Sequence, residues 1–279
     1  MTSTKLWSSL LLLLPALVLG YQNSFFGAWL PSSGQPVGPV TPVRIACLES
    51  RAPAPFNYKM RCPDTAQISE FYDDQGVYHR IIDHAPLPNV TSAMMKWWFS
   101  PALAVGNPFI KFRGETVYWY KLWHPLDHKA LLPAALPAPS FPLIPSIWVI
   151  VKESYRKLAS EPGQPYTIDA PVFVADGRFG IQLRGPGGVV VASFLNLPWK
   201  DSPEGLRLRT ELIIGIGNRG PAQRLNQFTL EVVRDQFPGL SDQVTRHHIE
   251  EVGNFADFLP ELFAQYGPGS RLTRLAALG

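Results

Sequence analysis

His247 and Glu251 are the two residues of this chain best spaced to hold a metal ion between them. On a helix, positions i and i+4 lie one above the other, about 6 Å apart. Imidazole and carboxylate are both ligands for borderline divalent metals. Stepping by three and four from Val244 gives His247, Glu251, Phe255, Phe258 and Leu262, an otherwise apolar stripe. A carboxylate set among phenylalanines is costly unless a cation compensates it. The opposite face, with Glu250, Asn254, Asp257 and Glu261, reads as solvated. A His–Glu pair on a partly exposed face would need no metal, and the stripe argues against that plainer reading.

Two further ligands are expected from the strands that precede the helix. Thr116–Trp123 alternates as a strand, with Tyr118, Tyr120 and Leu122 on one face. His124 continues that face, whereas His128 lies beyond Pro125 in the following loop. Strand parity therefore favours His124 as the third ligand, with His128 as the alternative. Glu153 ends the next strand, Ile147–Glu153, on its Ile/Val face. Two histidines and two carboxylates make an acceptable zinc shell, and an exchangeable water can expand it. Tyr118 and Tyr120 share the proposed ligand face and could donate to a developing oxyanion. Aromatic core is their plainer role.

The elements that must position these residues follow from periodicity. A helix is expected from about Ser241 to Gln265, stopped by Gly267. Tyr166–Val174 and Phe179–Leu183 flank Asp176-Gly177, a hairpin signal. Gly185–Gly188 turns the chain into Val189–Leu195, and Leu206–Ile216 is the last long strand. Consecutive antiparallel strands closed by one long helix predict an α+β fold, a curved sheet around the helix with a cavity between them. The stretch before residue 90 reads as loop-rich, with a short helix near Asp64–Tyr72. His79 and His84 fall in that polar region and read as structural or surface groups. Pro133–Pro145 reads as a long loop.

Gly215-Ile216-Gly217-Asn218-Arg219-Gly220 fits a dinucleotide-binding pattern. No βαβ unit follows it, so a nucleotide fold is set aside. A serine-nucleophile elbow and zinc-finger cysteine spacing are both absent from the sequence.

The 279 residues are 46% hydrophobic, ample for one sizeable core, and only 17% charged. A net charge of +3 with no basic stripe excludes nucleic acid as a partner class. Residues 1–20 read as a signal peptide, with Lys5 before an apolar run and Val18 and Gly20 small enough for cleavage before Tyr21. The run is about 13 residues, short of the roughly 20 that span a bilayer, so no stable membrane span is expected. Cys47 and Cys62 are the only cysteines and are expected to form a local disulfide. Asn89-Val90-Thr91 is a glycosylation sequon. Together these point to the secretory pathway or secretion.

Three segments carry a resemblance to a known family. They are Lys96–Phe99, the run Tyr120-Lys121-Leu122-Trp123-His124-Pro125-Leu126-Asp127-His128, and His247–Phe255 with Phe258–Leu262. Together they resemble the 2,4-diacetylphloroglucinol hydrolases over roughly residues 90–265. The resemblance implies a helix-grip (Bet v 1-like) fold for 91–279 and a zinc held by two His and two Glu. It also implies hydrolysis of the carbon–carbon bond between an acyl group and an electron-rich phenolic ring, on a small aromatic or polyketide substrate. The leader, the cysteine pair and the Pro-rich insertion at 133–145 depart from the family. The competing expectation is a non-hydrolytic cavity protein that binds an apolar ligand or guides a cyclisation or isomerisation.

Overall fold

The computed structural model describes residues 35–99, 109–133, 147–175, 178–184, 190–196, 199–215 and 237–270, with residues 226, 230, 231, 234 and 235. The leader at 1–20, most of the loop at 133–145, the turn at 185–188 and the glycine motif after Gly215 lie outside the described residues.

Among the described residues, nine strands form one antiparallel sheet. They are β1 (Thr41–Pro42), β2 (Gln67–Tyr72), β3 (Tyr78–Asp83), β6 (His128–Pro133), β7 (Ile147–Ser154), β8 (Thr167–Ala175), β9 (Arg178–Arg184), β10 (Val190–Asn196) and β13 (Arg209–Ile214). Their spatial order is β1-β2-β3-β13-β10-β9-β8-β7-β6, so β6 is an edge strand. Two small hairpins stand apart: β4 (Phe109–Phe112) with β5 (Glu115–Tyr118), and β11 (Lys200–Ser202) with β12 (Gly205–Arg207). Short helices α1 (Ser92–Trp98) and α2 (Trp119–Trp123) precede the long C-terminal helix α3 (Leu240–Tyr266). The α+β class and the closing helix agree with the sequence. The sheet, however, is open and not strongly curled.

Local chemistry explains the agreements and the differences. Ala175 pairs with Arg178 across the β8–β9 turn, as the Asp-Gly signal requires. The expected strand Thr116–Trp123 stops at Tyr118 and becomes one turn of helix. Its aromatic residues satisfy both periods, and the helical one buries Trp119, Tyr120, Leu122 and Trp123 together. The stretch before residue 90 is less loop-like than it reads, because β2 and β3 are strands of the large sheet with neighbours on both sides. In place of the expected helix, Pro63–Thr65 makes a single 3₁₀ turn and Gln67–Tyr72 is extended.

Helix α3 is enclosed on several sides, and that corrects its expected solvated face. Ile249 packs with Ile68, Tyr78, Ile82, Leu212 and Ile214 of the sheet. Further along, Val252, Phe255, Phe258 and Leu262 pack with Trp98, Trp123, Phe56, Tyr58 and Met60. The segment from Ala46 to Met60 also packs on the helix: Arg246 donates to the Ala46 carbonyl at 3.1 Å, and Asn254 Nδ2 reaches Met60 Sδ at 3.5 Å and the Trp123 carbonyl at 2.8 Å. A Cys47–Cys62 disulfide, with Cα atoms 4.9 Å apart, pins that segment. Glu250 and Asn254 are therefore buried, at 2% and 0% exposure, while Asp257 and Glu261 are exposed. No helix among the described residues is long and apolar enough to cross a membrane.

Candidate metal centre

The register of the β6–β7 pair builds one half of the site. His128, the first residue of β6, is the cross-strand partner of Glu153 on β7. Directly opposed residues on an antiparallel pair bring their side chains together. Helix α3 supplies the other half, with His247 and Glu251 one turn apart on its buried face. One strand pair and one helical pair thus meet edge to edge.

His128, His247 and Glu251 bring ligand atoms within 4.8 Å of one another, and Glu153 flanks the two imidazoles with one oxygen each. His128 Nε2 lies 3.5 Å from Glu153 Oε1 and 3.4 Å from Glu251 Oε2. His247 Nε2 lies 3.6 Å from Glu153 Oε2 and 3.7 Å from Glu251 Oε2. A tetrahedral shell whose ligand atoms stand about 2.0–2.2 Å from its centre has edges of about 3.3–3.6 Å. The observed separations, 3.4–3.7 Å, lie at or just beyond the upper end of that range. They are too long for good hydrogen bonds.

The imidazoles are set for coordination rather than hydrogen bonding. His128 Nδ1 donates to the Tyr120 carbonyl at 2.9 Å, and His247 Nδ1 donates to Asp127 Oδ2 at 3.0 Å. Each ring therefore turns Nε2 toward the cluster, and both Nε2 atoms are buried with no hydrogen-bond partner. Buried polar atoms are seldom left in that state. These residues fit a divalent cation.

Electrostatics agree with the geometry. Burial, helped by the nearby His247 and His124, pushes His128 well below the usual imidazole range, which leaves it neutral as a ligand must be. Burial opposes the charge on His247 as well, but Asp127, Glu153 and Glu251 outweigh it and raise it to about 9. Burial, reinforced by Glu153 and Asp127 against the pull of His247, raises Glu251 well above the carboxylate range. Three acidic groups thus crowd one imidazolium, a shortage of positive charge that a cation would relieve.

Strand parity points to His124, which the structure sets beside His247 and Asp127 rather than against Glu153 and Glu251. The helical turn of α2 removes the alternation on which that choice relied. His124 Nε2 instead donates to Glu250 Oε2 at 2.9 Å, while its Nδ1 accepts from the Asp127 amide at 3.1 Å. His128, the alternative, is the histidine that meets Glu153, His247 and Glu251. Tyr120 and Tyr118 also separate. Tyr120 stacks on His128 with ring centroids 3.9 Å apart and donates to Glu153 Oε1 at 2.5 Å. Tyr118 exchanges hydrogen bonds with the Leu131 backbone and lies outside the cluster.

Several contributors were not singled out from sequence. Tyr155 donates to Glu153 Oε2 at 3.0 Å, and its position two residues on, just past the end of β7, was a usable signal. His248 Nδ1 bonds Glu251 Oε1 from behind, and His84, held to Thr210 at 2.9 Å, packs against His248. Asp127, Arg156 and Glu250 form a buried network beside His247. His79 and His84 are both buried, contrary to a surface placement.

No protein-family model matches the chain, and no curated protein matches it. Among solved structures it is similar to one described as "Crystal structure of Ara h 8.0201", at 10% identity, covering 62% of this chain and 95% of that chain, with a TM-score of 0.25.

Proposed function

We propose that this protein is a zinc-dependent hydrolase of the helix-grip type that cleaves a carbon–carbon bond next to a ketone in an acylated phenol or related polyketide. The observation that carries the reading is the convergence of His128, Glu153, His247 and Glu251 around two buried, unpartnered Nε2 atoms. The resemblance of the flanking segments to 2,4-diacetylphloroglucinol hydrolases supplies the reaction class.

His128, Glu153, His247 and Glu251 would hold the ion. When bound, zinc would supply Lewis acidity, polarising a ketone oxygen or lowering the pKa of water toward about 7. The protein's own groups prepare the site. Tyr120 and Tyr155 fix both oxygens of Glu153. Burial, then the charge on Glu153, raises the Tyr120 phenol well above its ordinary value, so it remains a donor and never a base. Trp98, Trp123 and Phe255 wall off the neighbouring interior from water, which strengthens polar interactions at the reacting group. In the overall step, water oxygen bonds the acyl carbon and the bond from that carbon to the ring breaks. The ring carbon takes up a proton, giving a carboxylic acid and the deacylated phenol.

A secretory route is part of the same reading. The Cys47–Cys62 bond suits an oxidising compartment. Asn89 of the sequon is exposed, which a glycan requires.

Incubation with a panel of acylphloroglucinols and β-diketones, followed by mass spectrometry of released acid, tests the reaction. Cleavage abolished by chelation is expected. Bound metal with no cleavage, while a polyketide precursor is cyclised or isomerised, would replace the hydrolase by the cavity-protein reading.

A further inference from the structure

Beside the metal centre lies a second cluster that none of the chemistry above uses. Asp127, in the turn between α2 and β6, accepts from His247 Nδ1 through Oδ2 at 3.0 Å and from Arg156 Nε through Oδ1 at 2.6 Å. Arg156 also reaches Glu250 Oε2 at 2.5 Å and Ser50 Oγ at 2.7 Å. Glu250 in turn accepts from His124 Nε2 at 2.9 Å, and the His124 ring closes the loop by accepting the Asp127 amide at 3.1 Å. Asp127, His124 and Glu250 are 0–2% exposed.

His124, Asp127 and His247 offer ligand atoms close enough to one another to hold a cation themselves. Here the position is already neutralised. The Arg156 guanidinium bridges Asp127 and Glu250, and each imidazole nitrogen facing the cluster has a hydrogen-bond partner. The contrast with the unpartnered Nε2 atoms a few ångströms away assigns the two clusters different work: one is open to a ligand, the other is saturated.

From this we infer that Asp127, clamped by Arg156, is a positioning residue that sets the metal affinity of the centre by holding the proton of His247 on Nδ1. The inference rests on the metal-centre reading above. A carboxylate behind a ligating histidine fixes its tautomer and ring orientation, and losing such a partner typically weakens metal binding 10–100-fold. Arg156 acts one step further out. It spans two carboxylates on separate elements, so the α2–β6 turn and helix α3 are held in one register. Glu250 lies on the buried side of α3 because it is the far anchor of this clamp.

The test is a chelator-competition measurement of zinc affinity on the full-length protein. The set is wild type, Asp127→Asn, Arg156→Gln and Asp242→Ala, with thermal unfolding of each metal-free protein alongside. Asp242 bonds Arg80 at the start of the same helix, away from the centre, and serves as the control for general loosening. Asp127→Asn keeps the side chain's size and should bind zinc about 10–100-fold more weakly. Arg156→Gln should show a smaller loss in the same direction. Substitution of Co²⁺ should give an altered visible spectrum in Asp127→Asn, a readout that mere destabilisation does not move. Asp242→Ala should lower the unfolding temperature with zinc affinity unchanged. Wild-type affinity and spectrum in Asp127→Asn would overturn the positioning role while leaving the metal centre standing. A wild type that binds no zinc would overturn both.

Discussion

Among the described residues, the cluster around His79 and the one around His128 and His247 both bury histidine between carboxylates, and only the latter has the marks of a ligand site. On the sheet face turned away from α3, His79 of β3 lies between Glu211 of β13 and Asp73, at 2.7 Å from Nδ1 and 3.3 Å from Nε2. Its ring stacks on Phe71 with centroids 4.7 Å apart. Both nitrogens are engaged, so the cluster is closed and its role is to satisfy charge within the fold. At the junction of β6, β7 and α3, the same residue types leave two Nε2 atoms unpartnered at spacings suited to a metal shell. Burial and composition are alike in the two places. Unspent hydrogen-bonding capacity is what differs, and it is the better sign of a missing ligand.

That comparison can be broken from the closed side. His79→Ala would leave buried Glu211 without its imidazole and Asp73 with only the Gln75 and Val77 amides, and removing one member of a buried ion pair costs about 3–5 kcal/mol. Chemical denaturation should report a loss of that size while zinc stoichiometry remains unchanged. Metal loss in this variant would mean that the two clusters are not independent.

A smaller effect, in pH, sharpens the same contrast. Burial opposes the charge on His79, but Glu211 and Asp73 overcome it and raise its pKa above the ordinary 6.5. A histidine raised in the folded state stabilises fully below its unfolded pKa, and that stability is lost as pH rises through the folded value. The difference in unfolding free energy between wild type and His79→Gln should therefore be larger at pH 6 than at pH 9. A gap that widens with pH would show His79 to be neutral in the fold.

The helix half of the centre was legible because α3 is long and its apolar stripe is regular, so His247 and Glu251 could be placed without knowing what they faced. Glu153 was legible as the end of an alternating strand. His128 was legible only as the alternative to His124, since the parity argument assumed that Thr116–Trp123 stays extended. An aromatic-rich run satisfies strand and helix periods alike, and packing against Phe255 and Phe258 decided for helix. Glu250 was misread for a related reason. Helical periodicity identifies the most apolar face but cannot say that His124 and Arg156, from distant parts of the chain, meet Glu250 on the other one. The strands β2 and β3 were hidden by polar residues such as Arg80 and His79, whose partners Asp242 and Glu211 come from remote parts of the chain.

The central claim is that four residues from a strand pair and a helix hold one divalent ion, and metal analysis of purified protein before and after one substitution tests it most directly. Wild-type protein should carry about one zinc per chain, and His128→Ala, which removes an unpartnered Nε2 and leaves the helix pair untouched, should carry essentially none. Stoichiometric zinc that survives His128→Ala, or a wild type that takes up no divalent metal, would contradict the account.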